Sequence, residues 1–521
     1  MKKNNIKLLL PFAVLASLVM GAGCSRSMDD VNTNPFLLTD SIAKRDGFNQ
    51  GAFFLVMQNE VIPVQENRYQ FAEHMIGLPY GRYLPPINSW AGQNFQTFNP
   101  NPDWNSTPFN DAFGNIYPAF FNIQKITGES GVNYAWAKII LVAAMQRITD
   151  MYGPIPYTKV RFGQLSSPYD PQETVYDSMI ADLTESAAIL QNYVTASGNA
   201  KPMLYYDNVY AGDFSKWVRF ANSLKLRMAM RMVYADAGRA RRYAEEAVAA
   251  GVMTSNEDNA AVKTFQKNPI YIINGWPELR ASAEIVSYLK GFGDKRLEKY
   301  IVPGSYNGVT DYYGVRSGLI NMNRDVLGKI YSSPNIGNDA RLLWMPAAEV
   351  AFLRAEGAVR GWNMGGTAES FYTQGVSLSF TQWELSSADA TTYLTNNTAK
   401  QANYTDARGL NSANAVSTIT VSWNEADNAE TKLERIVTQK WIALFPLGTE
   451  AWSEYRRTGY PKFFPAVNNL SSDGVNSTSG ARRLVFPSKE YNNNNANVSA
   501  AVSFLKGTDA QSTKLWWDAK N

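Results

Sequence analysis

The chain of 521 residues contains one cysteine and one histidine, and its charges nearly balance. A single cysteine cannot form a disulfide within the chain, so an apolar core has to provide the stability. A single histidine, His74, excludes a zinc site that is built from several histidines. The 49 basic and 46 acidic residues leave a net charge of +3 without a basic stripe, which argues against a nucleic acid partner.

The apolar run near the N terminus is short. It covers residues 8–20, about 13 residues, whereas a membrane-spanning helix needs ~20. Three lysines precede this run, and the small residues Gly21, Ala22 and Gly23 lead from it to Cys24. This order is typical of a bacterial lipoprotein, in which residues 1–23 are a signal peptide and Cys24 receives the lipid. An ordinary secretory signal followed by a chance cysteine is the alternative.

The periodicity of apolar residues and the capping signals predict a mostly helical chain. One helix has a strong start signal, because Asp170 supplies a capping carboxylate, Pro171 the first position and Glu173 the capping-box acid. Another, at 214–234, places Arg231 at the edge of its apolar stripe, where we expect a carboxylate partner in the interior. The predicted helices cover residues 41–60, 134–151, 170–193, 214–234, 239–250, 346–362, 368–383, 433–445 and a last one from Thr449.

Three segments lack such a period: 66–120, 265–338 and 397–427. The first two are rich in proline, glycine and aromatic residues, which indicates long ordered loops rather than disorder. Within the third, the alternation at 416–420 predicts a short strand. Several antiparallel helix pairs favour an all-α, solenoid-like fold with long loops, although no clean 34-residue repeat is visible.

Six motifs resemble the SusD/RagB family of outer-membrane nutrient-binding lipoproteins. They occur in the same order as in that family and extend over nearly all of the chain after residue 23. Their sequences are TDMYGPIPY at 149–157, ANSLKLR at 221–227, FLRAE at 352–356, KWIALFP at 440–446, YRRTGYP at 455–461 and WWD at 516–518.

This resemblance implies a fold and a function. The fold is an all-α, tetratricopeptide-like scaffold of helix hairpins with long inserted loops, and residues 24–521 form one nutrient-binding domain. The function is binding of a nutrient oligomer at the cell surface, outside the outer membrane to which the N-terminal lipid attaches the protein. The partner is a SusC-like TonB-dependent transporter, which the lipoprotein covers as a lid. No enzymatic activity, catalytic residue, cofactor or metal is implied.

The loops supply the candidate ligand-binding residues. An aromatic plane covers the apolar face of a sugar ring, and amide or charged side chains bind its hydroxyl groups, so we expect a glycan rather than a peptide. Each aromatic side chain could instead only anchor its loop in the core. The candidates are Arg82, Tyr83, Asn88, Trp90, Asn94 and Trp104 in the first irregular segment, and Trp276 and Tyr313 in the second.

Other functions have weaker support in the sequence. An extracytoplasmic glycosidase needs two carboxylates about 5–9 Å apart, which a sequence cannot show. A purely structural surface protein needs no ligand at all. His74 lacks a nucleophile partner, so we expect a local hydrogen bond or a place on the loop surface. The acidic turn at 255–259 has the oxygen ligands of a calcium site but not its twelve-residue loop, which favours a solvated turn.

Two charged motifs have simple structural explanations. Glu356 and Arg360 are spaced as a pair on a helix surface. Arg456 and Arg457 lie near a helix C terminus, where the helix dipole favours cations.

Overall fold

The computed structural model describes residues 47–164, 166–264 and 266–520. The chain divides into two compact units, residues 1–49 and 50–521, and nearly all of the description concerns the second. The predicted signal peptide, the predicted lipidation site Cys24 and the start of the first predicted helix lie outside the described residues. No helix among those described is long and apolar enough to cross a membrane.

Helices dominate the described chain. Those of the first half are α1 Phe48–Val61, α2 Glu66–Tyr69, α3 Leu78–Tyr80, α4 Pro102–Asp111, α5 Tyr117–Thr127, α6 Gly131–Tyr152, α7 Gln172–Ser197, α8 Phe214–Arg231 and α9 Ala237–Ala250. Those of the second half are α10 Pro269–Gly275, α11 Ala283–Phe292, α12 Arg296–Tyr300, α13 Arg324–Ile330, α14 Ala347–Val359, α15 Ala368–Gln382, α16 Ser387–Leu394, α17 Ala429–Ala443, α18 Gly448–Thr458, α19 Ser488–Asn493 and α20 Asn495–Val502.

Shorter elements connect them. Two π-helices and four 3₁₀ turns are Gln70–Gly77, Ala112–Ile116, Trp90–Gly92, Phe95–Thr97, Leu204–Tyr206 and Asn256–Asp258. The strands are β1 Ala260–Val262, β2 Ile301–Val302, β3 Gly304–Tyr306, β4 Val309–Asp311, β5 Ser333–Pro334 and β6 Leu342–Met345. They form three antiparallel pairs, β1 with β6, β2 with β5 and β3 with β4.

Helix-on-helix packing forms the scaffold. Helices α6, α7, α8 and α9 pack in sequence, each against the next, and α14 packs on both α15 and α17. This arrangement confirms the all-α, tetratricopeptide-like fold. In α8 the apolar residues of the predicted stripe, from Trp217 to Met228, are all buried. At the start of this helix the Asp213 carboxylate accepts hydrogen bonds from the backbone N–H groups of Ser215 and Lys216.

A cluster of buried ion pairs joins these helices. Arg231 is fully buried, and its guanidinium pairs with Asp150 of α6 and with Glu450 and Glu454 of α18, which confirms the predicted interior partner. Arg227, one turn earlier, pairs with Glu349 of α14 at 2.7 Å. We call this set the ionic core. It connects helices that are far apart in the sequence.

The capping prediction for α7 is wrong. The helix begins at Gln172, after Pro171, and the Asp170 carboxylate turns away from it. Its oxygens accept from the backbone N–H groups of Tyr157 and Thr158 at 3.1 and 2.7 Å and from the Thr158 hydroxyl. Asp170 therefore fixes the preceding loop, because these donors have no helical partner of their own.

The structure also corrects the irregular segments. Residues 66–120 contain α2, α3, α4, both π-helices and the start of α5, so only about 81–101 is loop. Residues 265–338 contain the four helices α10–α13, and residues 416–420 form no strand. Aromatic residues of these short helices, such as Tyr69, Tyr80 and Phe109, are buried in the main core. The helices are too short for a 3.6-residue apolar period to be visible in the sequence.

Candidate functional site

Three of the eight candidate residues are part of the buried structure. The Tyr83 ring stacks on Trp441 with the ring centroids 5.4 Å apart, and its hydroxyl donates to the Trp441 carbonyl. Arg82 is buried, with Nε 3.8 Å from a Glu284 carboxylate oxygen. Asn94 caps a 3₁₀ turn by accepting from the Gln96 N–H at 3.0 Å. All three are at most 6% exposed, so they anchor the loop from beneath.

The two tryptophans of the first segment meet at the surface. Trp90 and Trp104 are half-buried and stand edge to face, with ring centroids 5.9 Å apart and an interplanar angle of 81°. Phe71 flanks Trp104 at 6.0 Å, and the His74 ring meets Trp90 at 5.9 Å. The π-helix Gln70–Gly77 therefore supplies the support behind both indoles.

Polar groups lie beside these rings. The Asn88 side chain donates to a Glu278 carboxylate oxygen at 3.3 Å and accepts from the Trp90 N–H at 3.4 Å. The same carboxylate accepts from Arg324 at 2.6 Å and from the Gln70 amide at 2.5 Å. We call Asn88, Trp90, Trp104, Glu278 and Arg324 the tryptophan face.

Glu278 and Arg324 were missed by sequence reasoning. Glu278 is 190 residues from Asn88 in the chain, and only tertiary packing brings the two together. The one available signal was its position two residues after Trp276, which was itself a candidate. Arg324 begins α13, and its side chain is 44% exposed, so its free N–H groups can still bind a ligand.

The loop that carries Trp90 is held in an unusual backbone conformation. Trp90 and Ala91 have φ values of 35° and 56°, a region that costs free energy for residues other than glycine. The Ser89 hydroxyl donates to the Met322 carbonyl at 3.0 Å, and the Asn99 amide donates to the Gly92 carbonyl at 2.9 Å. These bonds fix the loop tip and the orientation of the indole.

His74 is buried and neutral, and it does not lie on the loop surface. Burial lowers the pKa of its imidazole to about 3, although a hydrogen bond to the Glu278 carbonyl works in the opposite direction. Its Nε2 lies 3.3 Å from that carbonyl oxygen and donates to it. His74 therefore positions Trp90 and Glu278 and is charged at no physiological pH.

The two remaining candidates lie farther along the chain. Trp276 is half-buried and directly follows α10, next to the segment that carries Glu278. Tyr313 is half-buried against a small apolar cluster that contains Ile87 and Met322, and its N–H donates to the Ser332 hydroxyl at 2.9 Å. Both stay candidates, with Trp276 the nearer in sequence to the tryptophan face.

The Glu356–Arg360 pair does not lie on a helix surface as predicted, because Glu356 is buried. Glu356 is 2% exposed and binds Arg457 through both oxygens at 2.6–2.7 Å, in addition to Arg360. Burial would raise the pKa of Glu356, but Arg457 and Arg360 together lower it to about 2. Arg456 is also buried, with its guanidinium 3.6 Å from the centroid of the Trp452 ring.

The acidic turn at 255–259 is held by protein groups. Asp258 pairs with Arg219 at 2.8 Å and accepts from the Thr254 and Ser255 N–H groups. Among the described residues no cluster of three or more His, Cys, Asp or Glu side chains is placed to hold a metal.

A cavity of about 1080 Å³ lies elsewhere, and none of the eight candidates lines it. Its walls come from the loop 207–211, the β1–β6 pair and the ends of α15 and α17. We call it the polar cleft. Its charged lining residues are Glu73, Asp207, Lys216, Glu257, Lys263, Lys299, Arg341 and Glu384.

Residues 30–518 match the sequence profile of a family described as SusD-like, the SusD and RagB outer membrane lipoproteins. A SusD homologue from Bacteroides thetaiotaomicron is 40% identical, with a TM-score of 0.86 over 91% of this chain and 99% of that one. A SusD homologue from Bacteroides uniformis is also 40% identical, with a TM-score of 0.85 over 91% and 100%. A chitin-binding SusD homologue from Flavobacterium johnsoniae is 36% identical, with a TM-score of 0.86 over 91% and 99%. None of the curated proteins compared with the chain matches it.

Proposed function

Because this chain belongs to the family of SusD and RagB outer membrane lipoproteins, we propose that it captures a nutrient oligomer at the cell surface. It then delivers the oligomer, as a lid, to a SusC-like TonB-dependent transporter. The observation that carries the proposal is the tryptophan face, in which two half-buried indoles stand beside a carboxylate, an amide and a guanidinium.

The chemistry of this face suits a sugar. An indole plane covers the C–H face of a pyranose ring, and Asn88, Glu278 and Arg324 can exchange hydrogen bonds with its hydroxyl groups. The two rings are perpendicular, so they can contact successive sugar units that differ in orientation. A peptide is the other ligand class, and it would need extended backbone pairing instead.

Binding without cleavage is the second part of the proposal. The Glu278 carboxylate is held by three donors, and the buried His74 is neutral with its Nε2 hydrogen bonded to a backbone carbonyl. Glu356 and Glu454 have pKa values below the ordinary range because arginines outweigh the effect of burial, which does not suit a general acid. These observations favour a binding protein over the glycosidase.

Titration calorimetry with oligosaccharides tests the proposed ligand class. Chitohexaose is the first probe, because one similar protein is described as chitin-binding. Trp90→Ala is expected to weaken binding at least tenfold, since it removes one platform. The matched control is Trp362→Ala, which removes a half-buried tryptophan on another surface and should change affinity less than twofold.

The same samples test for cleavage and for peptides. Product analysis after a day with the oligosaccharide should recover it uncut, and shortened products would support the glycosidase. If no glycan of a neutral panel binds and a peptide from a library does, the ligand is a peptide and the proposed glycan is wrong.

Attachment and the partner are tested in cells. Cys24→Ala should release the protein from the outer membrane fraction, and an external protease should reach the wild-type protein in intact cells. The transporter should co-purify with the wild-type protein after gentle detergent extraction. Retention of the Cys24→Ala variant in the membrane would contradict the lipid anchor.

A further inference from the structure

The polar cleft is a second candidate binding site that the tryptophan face does not use. Its volume of about 1080 Å³ is that of a pocket for a small organic ligand. Two cations, Lys263 and Arg341, line one of its walls at the same end of the β1–β6 pair. Val262, the last residue of β1, pairs with Leu342, the first residue of β6. Lys263 therefore comes directly after β1, and Arg341 comes directly before β6.

Like charges held at the same end of a strand pair repel each other. Lys263 and Arg341 are both exposed, and neither makes an ion pair with a carboxylate among the described residues. The guanidinium of Arg341 is instead held at the wall by the carbonyls of Val209 and Ala261, each at 3.3 Å.

Three of the four acidic residues that line the cleft have partners of their own. Asp207 accepts from the N–H groups of Val209, Tyr210, Gly212 and the Trp217 indole at 2.8–3.0 Å. Glu73 binds Arg147 and the Thr449 hydroxyl. Glu384 lies 3.8 Å from Lys299.

Two neighbouring carbonyls hold Lys263 and Arg341 at the same place. The Lys263 N–H donates to the Asn208 carbonyl at 3.0 Å. Arg341 donates to the next carbonyl in the chain, that of Val209.

We propose that the polar cleft binds an oxyanion, the carboxylate or sulfate group of a ligand, through Lys263 and Arg341. An arginine presents two parallel N–H groups to such an anion, and the anion removes the repulsion between the cations. The sugar acids and sulfated sugars of polysaccharides carry this group. The site rests on observations independent of the tryptophan face.

Calorimetry at low salt tests the proposal with two pairs of probes. Trigalacturonate is compared with its neutral methyl ester, and a sulfated carrageenan tetrasaccharide with its desulfated form. At least one anionic probe should bind ten times more tightly than its neutral partner, and its affinity should fall as salt increases. The pair that shows this difference identifies the carboxylate or the sulfate.

Variants locate the bound anion. The double variant Lys263→Gln, Arg341→Gln should weaken anion binding at least tenfold. The control double variant Lys489→Gln, Lys506→Gln removes the same amount of charge from residues outside the cleft. Its affinity for the anion should change less than twofold. Trp90→Ala should also leave it unchanged, which separates this site from the tryptophan face.

Three results would overturn the proposal. These are equal affinity for anionic and neutral probes, no binding of either anion, and unchanged anion binding in the double variant. If that variant binds the anion normally but no longer co-purifies with the transporter, the cleft is a protein interface and the inference is wrong.

Discussion

The ionic core and the tryptophan face use charge in opposite ways. In the core, Arg231 is fully buried among three carboxylates, and each of these residues comes from a motif or helix that the sequence made visible. At the face, Arg324 is 44% exposed and shares one carboxylate with amide groups. The motifs that identify the family therefore describe its scaffold, and the proposed ligand contacts lie in loops and short helices that carry no motif.

The difference has a physical cause. A buried charge requires partners of fixed type and geometry, because an unpaired one costs several kcal/mol. A half-exposed indole that binds a ligand needs only a side chain packed behind it and one ring face open to solvent. Substitutions in the two regions should therefore separate stability from binding.

Arg231→Met should have the largest effect. It leaves Asp150, Glu450 and Glu454 without their shared cation, so the free energy of unfolding should fall by about 3–5 kcal/mol in a urea titration. Arg324→Met, at the tryptophan face, should lower it by less than ~1 kcal/mol. Similar losses in both variants would show that the two regions do not differ as described.

Acid should weaken the ion pairs around Glu356, which Arg457 links to Glu454 of the ionic core. The pKa of Glu356 lies near 2 in the folded protein and at its ordinary value of 4.5 when unfolded. The stability that its ionised form contributes is therefore complete above pH 4.5 and is lost as the pH falls toward 2. Urea midpoints should be highest near neutral pH and decline below 4.5, and a rising midpoint would contradict the assignment.

His74→Phe should affect both regions moderately. It removes the hydrogen bond to the Glu278 carbonyl while keeping a ring behind Trp90, so unfolding should become easier by about 1–2 kcal/mol. Affinity for chitohexaose should fall about threefold to tenfold, because Glu278 loses its fixed position. Full affinity in this variant would show that His74 serves the fold alone.

Glu278→Gln should have a smaller effect, confined to binding. The amide keeps the shape of the carboxylate but loses its charge toward Arg324, so affinity should fall about threefold. The control Glu369→Gln, on an exposed helix start, should leave it unchanged. A loss greater than that of Trp90→Ala would make the carboxylate, and not the indole, the main contact.

The smallest expected effect is that of pH on affinity. His74 stays neutral down to a pKa of about 3, so chitohexaose binding should be constant between pH 5.5 and 8. A step in affinity near pH 6.5 would show that His74 is accessible and titrates in the folded protein.

The sequence predicted the regular scaffold well and the loops poorly. The helix expected at 134–151 runs from Gly131 to Tyr152, because an apolar stretch of this length favours a buried helix over a strand. Arg231 has its predicted interior partners. The π-helix Gln70–Gly77 was missed, since its period differs from that of an α-helix and the segment that follows it is rich in proline and aromatic residues. Of the candidate ligand residues, Trp90, Trp104 and Asn88 come together, whereas Tyr83 is buried by its stack on Trp441. Tyr83 and Trp441 are 358 positions apart in the chain, so the sequence around Tyr83 does not reveal that its ring is buried.

A crystal structure of the protein with chitohexaose, or with the best ligand of the oligosaccharide panel, tests the central claim most directly. The account predicts an intact oligomer with one sugar ring against Trp90 or Trp104 and its hydroxyl groups near Glu278 and Arg324, above an unchanged ionic core. An oligomer bound away from both indoles, or found cleaved, would contradict it.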